Sequence, residues 1–190
     1  RKRKSSITKY PIYYLGREDL FLFLITHGAR HGWSRLRWLV DIHQITKQQI
    51  DWIEVTNLLK KFQSFHIGGQ ALILSSHLLN TPITKEMEHL IKSNLARGLA
   101  QGAIYYLENM INLHTDPVPG DVSKYHERHL FSLMSFEQKV LFILSFLHPY
   151  PEDAEFLPLP KYLYFLYFPL RPFLWFWRKK KHASIGGFNK

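Results

Sequence analysis

The chain has no cysteine. Disulfides, cysteine–zinc sites and thiol catalysis are therefore excluded, and the composition fits a reducing compartment. Acidic residues are scarce: 15 Asp and Glu stand against 25 Lys and Arg, a net charge of +10 over 190 residues. That balance favours an anionic partner such as nucleic acid, a nucleotide or a membrane surface, although a solvated basic tail produces the same count. No P-loop, Gly-x-Gly-x-x-Gly, Gly-x-Ser-x-Gly or Asp-x-Asp occurs, so the common phosphate cradles and nucleophile elbows are missing. No nucleic-acid module or fixed-period repeat is evident either. The first residue is Arg and residues 1–10 lack an apolar run, so no secretory signal is read and a cytoplasmic chain, truncated or processed at its start, is expected.

What is present is hydrophobic. Apolar residues make up 46 % of the chain, enough to bury a core in one domain. Residues 5–15 are β-branched and aromatic and read as one extended segment, with Pro11 suggesting an edge. From residue 17 the period is helical. Leu20, Leu24, His27 and His31 share a face, Glu18 and Asp19 suit the positive helix start, and Gly28 and Gly32 suggest a turn or a close approach. Further helices are expected over 34–45 and 50–65, the latter capped by Asp51. Gly68-Gly69 is read as a break before a helix over 70–79, and Asn80-Thr81-Pro82 as a turn. Helices are expected near 84–94, 95–113, 122–133 and 135–146. Gly98 and Gly102 would admit another backbone, and 116–121 is the strongest linker. The expected fold is mainly α: a bundle-like domain over 17–155, an extended segment over 1–16 and a proline- and aromatic-rich tail over 156–190.

The densest chemistry lies over 27–42, where His27, His31, Trp33, Trp38, Arg30, Arg35, Arg37 and Asp41 fall among apolar residues. Tryptophan favours a core, whereas arginine and aspartate avoid one unless paired. The mixture marks a place where a core meets a polar cavity. His27 and His31 have the i, i+4 spacing of zinc ligands, but Gly28 stands where a zinc protease needs Glu and no third ligand is apparent. No metal site and no catalytic residue is therefore assigned. His27, His31, Arg35, Trp38 and Asp41 are the candidate cleft-lining or substrate-binding residues. A structural pair of Asp41 with Arg37 is the competing reading.

The tail carries prolines 158, 160, 169 and 172 among many aromatics and then the basic run Arg178-Lys179-Lys180-Lys181. Lys161, Arg171 and the prolines argue against a membrane span. A segment laid over a core and an interfacial anchor on an anionic membrane both remain open.

The run Gly16-Arg17-Glu18-Asp19-Leu20-Phe21-Leu22-Phe23-Leu24, with His27-Gly28, His31, Trp33, Leu36, Trp38-Leu39 and Asp41-Ile42, resembles a family of bacterial nucleotidyltransferases of the polymerase-β-type superfamily. Ile50-Asp51-Trp52 and the tail segments Leu157-Pro158-Leu159-Pro160 and Phe168-Pro169-Leu170-Arg171-Pro172 are similar too. The resemblance implies transfer of a nucleotidyl group from an NTP to an acceptor. It further implies a Gly-Ser turn and an Asp-x-Asp pair holding Mg²⁺, whose role is to neutralise attacking and leaving oxygens. Neither motif occurs here. The chain thus reads as the helical part of such a protein, with an N-terminal catalytic region as its partner and residues 5–15 as the last strand of that region's sheet. Mg²⁺ and NTP belong to the parent, and no cofactor is assignable to these residues. A non-enzymatic interaction or membrane-surface module using the tail is the alternative, which would place the chain at the membrane periphery.

Overall fold

The computed structural model describes residues 2–4, 7, 12–115, 117–148 and 150–186, with backbone alone for 2–4 and 178–186. It divides into two compact units, Arg1–Ser135 and Phe136–Lys190. The division falls between two helices, twenty residues before the boundary expected at 155, because a short connection with ordinary composition leaves no linker signal.

The first unit is mainly α, as expected. Two short strands, β1 (Lys2–Lys4) and β2 (Tyr13–Leu15), pair antiparallel with Arg3 opposite Tyr14. Lys2–Lys4 of the basic start thus forms a strand. Residues 5, 6 and 8–11 of the expected extended segment lie outside the described residues. Among the described residues seven helices follow: α1 (Arg17–Arg30), α2 (Leu36–Thr46), α3 (Trp52–Lys61), α4 (Phe65–Leu79), α5 (Lys85–Ile91), α6 (Asn94–Glu108) and α7 (Gly120–Leu133).

Local rules account for most of the boundaries. Glu18 and Asp19 occupy the first turn of α1, where the helix dipole favours negative charge. Asp51 caps α3, its Oδ1 accepting from the Ile53 and Glu54 amides at 3.0 Å each. Asn80 closes α4 in a left-handed conformation, φ 54°, which asparagine tolerates. Arg17 donates to the Gln49 carbonyl at 2.9 Å, and the Phe21 and Trp52 rings meet edge-to-face at 5.3 Å, fixing the start of α1 against α3.

The core differs from the sequence reading in three places. The buried face of α1 is Phe21, Ile25, Gly28 and Ala29. It is offset by one residue from the Leu20–Leu24–His27 stripe, so His27 faces solvent. Gly68-Gly69 does not break the chain but lies inside α4, which packs on α1, α2, α3, α5 and α6. A helix buried nearly all round needs small residues where neighbours approach. A methyl on Gly69 would overlap the Leu90 carbonyl, and one on Gly68 would sit 2.7 Å from Leu59 Cδ1. Packing on that scale outweighs the roughly 1 kcal/mol propensity penalty of each glycine. Gly98, by contrast, has no neighbour for an added methyl, so no backbone approaches it. Gly102 meets only Tyr125, whose hydroxyl donates to the Gly102 carbonyl at 2.8 Å. Two polar side chains tie α4 to its surroundings. Gln70 donates to Leu99 O at 2.9 Å and the His66 Nε2–H to Leu133 O at 2.8 Å.

The second unit contains α8 (Phe136–Ser145), α9 (Pro151–Phe156), a 3-10 turn (Lys161–Leu166) and α10 (Tyr167–Gly186). Tyr167 and Leu174 are buried, and the Tyr167 hydroxyl donates to Leu157 O at 2.7 Å while accepting from the Leu159 amide at 3.0 Å. The acidic run at 152–155 lies in the first turns of α9, where Asp153 Oδ2 accepts from the Tyr150 amide at 2.9 Å. α10 runs through Pro172 and includes the basic run at 178–181, whose side chains lie outside the description. Among the described residues no helix is long and apolar enough to cross a membrane.

Candidate functional site

The end of α1 builds the site. The helix terminates in a Schellman motif: the Trp33 amide reaches back to Gly28 O at 2.9 Å, and the Gly32 amide to Ala29 O at 3.0 Å. This closure requires a left-handed residue after the last turn, and Gly32 supplies it with φ +61°. Gly32 backs against the Tyr106 ring, and the Trp33 ring lies directly on Gly28, where a methyl would overlap it. Both glycines thus serve close approach. Trp33 is fully buried and anchors the turn that aims α2.

That turn brings four of the five candidate residues together. The His27 and His31 rings lie 4.7 Å apart, and both meet Trp38, at 5.6 Å edge-on and 5.2 Å respectively. The Arg35 guanidinium sits 6.0 Å from the Trp38 ring centre, an arrangement favourable for a cation over an indole. Trp38 itself is buried, so solvent meets the imidazoles and the arginine, with the indole beneath them. Asp41 lies one turn beyond Trp38 and is exposed. It makes no ion pair with Arg37 or Arg35 among the described residues, which removes the buried-pair reading. An exposed carboxylate needs no partner because water solvates it.

Sequence reasoning missed the far side of this cluster. The His114 ring lies 5.6 Å from that of His31, tilted by 32°. On α7, His126 shares a 3.0 Å hydrogen bond with the Tyr106 hydroxyl, and His129 Nε2 lies 2.8 Å from Ala29 O. His126 and His129 are spaced i, i+3, which places them on one helical face. That spacing was the available signal, but nothing local to α7 says that its partner is the end of α1.

The electrostatics follow from crowding. Burial pushes His31 below the ordinary histidine range, and His27, His114, Arg30 and Arg35 push it further. Burial lowers His126 as well, with His129 and His31 adding to it. Burial lowers His129, against the opposing pull of its bond to Ala29. Burial raises Tyr106, helped by Tyr125 and Tyr105. At neutral pH His31, His126 and His129 are uncharged and each keeps one ring N–H to donate.

This set does not suit Mg²⁺, which demands oxygen ligands in near-octahedral geometry. Among the described residues no group of three or more His, Cys, Asp or Glu could hold a metal ion.

Residues 1–80 match the family model described as an uncharacterised nucleotidyltransferase. No curated protein matches the chain, and no solved structure does. The matched stretch runs from the N-terminus through α4 and supports likeness to a nucleotidyltransferase family. It includes His27, His31, Arg35, Trp38 and Asp41, whereas His114, His126 and His129 lie beyond it.

Proposed function

We propose that this chain is a helical part of a nucleotidyltransferase and that the α1–α2 corner contacts the nucleotide. The observation that carries the reading is the convergence of His27, His31 and Arg35 on the Trp38 ring, inside the stretch that matches the family. Arg35 supplies a cation with fixed donors for phosphate oxygens. His27 and His31 add ring N–H donors, and His31, held neutral, does so without a desolvated charge. Trp38 is a positioning residue, since its ring is covered. Asp41 borders the same surface. Mg²⁺ would neutralise phosphate oxygens in this chemistry, and carboxylates of a separate catalytic region would hold it.

Calorimetric titration of the chain with each of the four NTPs tests the reading. Binding of an NTP is expected, weakened about tenfold by Arg35→Ala, the loss of one charge-assisted contact worth roughly 1.4 kcal/mol. Affinity unchanged in Arg35→Ala, His27→Ala and Asp41→Ala alike would remove the corner from the site.

A second reading concerns 136–190. No residue of α8 is buried, and Phe136, Leu141 and Ile143 are more than half exposed. These apolar side chains suit a bilayer interface, and the basic sequence Arg178-Lys179-Lys180-Lys181 would favour an anionic one. Sedimentation with phosphatidylglycerol vesicles, with and without added salt, is its test. Absence of salt-sensitive binding rejects it.

A further inference from the structure

The second unit contains a half-open cavity of about 640 Å³, within the roughly 300–1,000 Å³ typical of small-molecule sites. Phe146, Leu147, Pro172, Trp175 and Phe176 form apolar walls, and Arg171 is the charged side chain among them. An arginine beside such walls needs a reason. Arg171 is 8 % exposed, and its Nη1 donates to Asp153 Oδ1 at 3.0 Å. Its guanidinium lies over the Tyr150 ring at 4.4 Å.

The pair is lopsided. Asp153 is fully buried with both oxygens engaged, one by Arg171 and the other by the Tyr150 amide. Its acceptor capacity faces inward. The guanidinium has five N–H donors, and among the described residues its Nε, itself closed off from solvent, has no partner. An unpaired buried donor costs roughly 1–3 kcal/mol unless something satisfies the group. The lining therefore combines a long apolar wall with an arginine end, and no Asp or Glu is among the lining residues.

The geometry points to a binding site for a single-chain amphiphile with an anionic head, its carboxylate or phosphate on Arg171 and its alkyl chain along Trp175, Phe176 and Phe146. Such a head group offers acceptors and negative charge to the arginine that lines the cavity. A cationic head offers no acceptor, and a neutral hydroxyl accepts without the opposite charge. Nothing in this assignment depends on nucleotide binding. The same chemistry is available from a free fatty acid or from a lipid in a bilayer, and the cavity is assigned to the free molecule.

Titration calorimetry with decanoate, decyl phosphate, decanol and decyltrimethylammonium, each below its micelle-forming concentration, tests the site. The two anions are expected to bind at least tenfold more tightly than the cation. Leu147→Trp narrows the cavity and is expected to weaken anion binding at least tenfold. The double variant Asp153→Asn/Arg171→Gln keeps a neutral polar pair and is expected to erase the preference for anions while decanol binding stays unchanged. Should the double variant fail to fold by circular dichroism, Leu147→Trp decides. Equal binding of anion and cation, or undiminished decanoate binding in Leu147→Trp, overturns the assignment. So does association with phosphatidylglycerol vesicles in the absence of any decanoate binding, which would give this surface to the bilayer.

Discussion

His129 Nε2 lies 2.8 Å from the carbonyl oxygen of Ala29, one hundred residues earlier in the chain. A carbonyl only accepts, so Nε2 carries the proton. The bond fastens α7 to the last turn of α1, beside the corner formed by His31 and Trp38.

Removing that fastening should loosen the first unit. His129→Ala loses a buried hydrogen bond and leaves a void next to Tyr106, together costing about 2 kcal/mol. Urea unfolding followed by circular dichroism measures it. His129→Gln, which can restore a donor, should recover part of the loss. A change under about 0.5 kcal/mol in His129→Ala, the size of an ordinary surface substitution, would mean that the bond does not hold the helices together.

Acidification should destabilise the same region. His31, His126 and His129 all have folded-state pKa values lowered from 6.5. Well above pH 6.5 they are neutral whether folded or unfolded and contribute no pH dependence. As pH falls below 6.5 the unfolded chain takes up protons that the fold resists, so stability drops. The fall continues until the lowered folded values are passed, where it levels off. The slope is at most about 1.4 kcal/mol per pH unit for each proton. Unfolding midpoints between pH 7.5 and 5 should decrease, and the triple variant His31→Gln/His126→Gln/His129→Gln should flatten the curve relative to its own starting point. An equally steep curve in that variant would assign the dependence to other groups.

Two helical glycines should respond in opposite directions. Gly69→Ala places a methyl against the Leu90 carbonyl and 2.8 Å from Ala96 Cβ. It should destabilise by about 1–3 kcal/mol, as overpacking does. Gly98→Ala meets nothing within 4 Å and should stabilise by about 0.5–1 kcal/mol through helix propensity. Denaturant midpoints of the two variants are the measurement. Effects of the same sign would contradict the placement of α4 against α5 and α6.

Where a signal was local, it was legible. Asp51 capped α3, Asn80 ended α4, and the acidic first turn of α1 lay where the dipole wants it, because each depends on neighbours within a few residues. The same holds for the i, i+4 spacing of His27 and His31, which did bring their rings together. Gly68-Gly69 misled because propensity is a weak term that a helix packed on all sides overrides. His114, His126 and His129 were invisible as part of the site because their partners are on α1 and α6.

By itself the sequence determined the helical class, most helix limits and the crowding of imidazole, indole and guanidinium groups at the end of α1. These follow from backbone preference and short-range spacing, which any stretch of chain expresses on its own. Only the tertiary structure decided that Trp38 is covered while Asp41 is exposed, that α7 completes the histidine cluster, and that Arg171 meets Asp153 beside an apolar cavity. Those outcomes depend on which faces are buried together, and burial is a sum over the whole packed chain rather than a property of any segment.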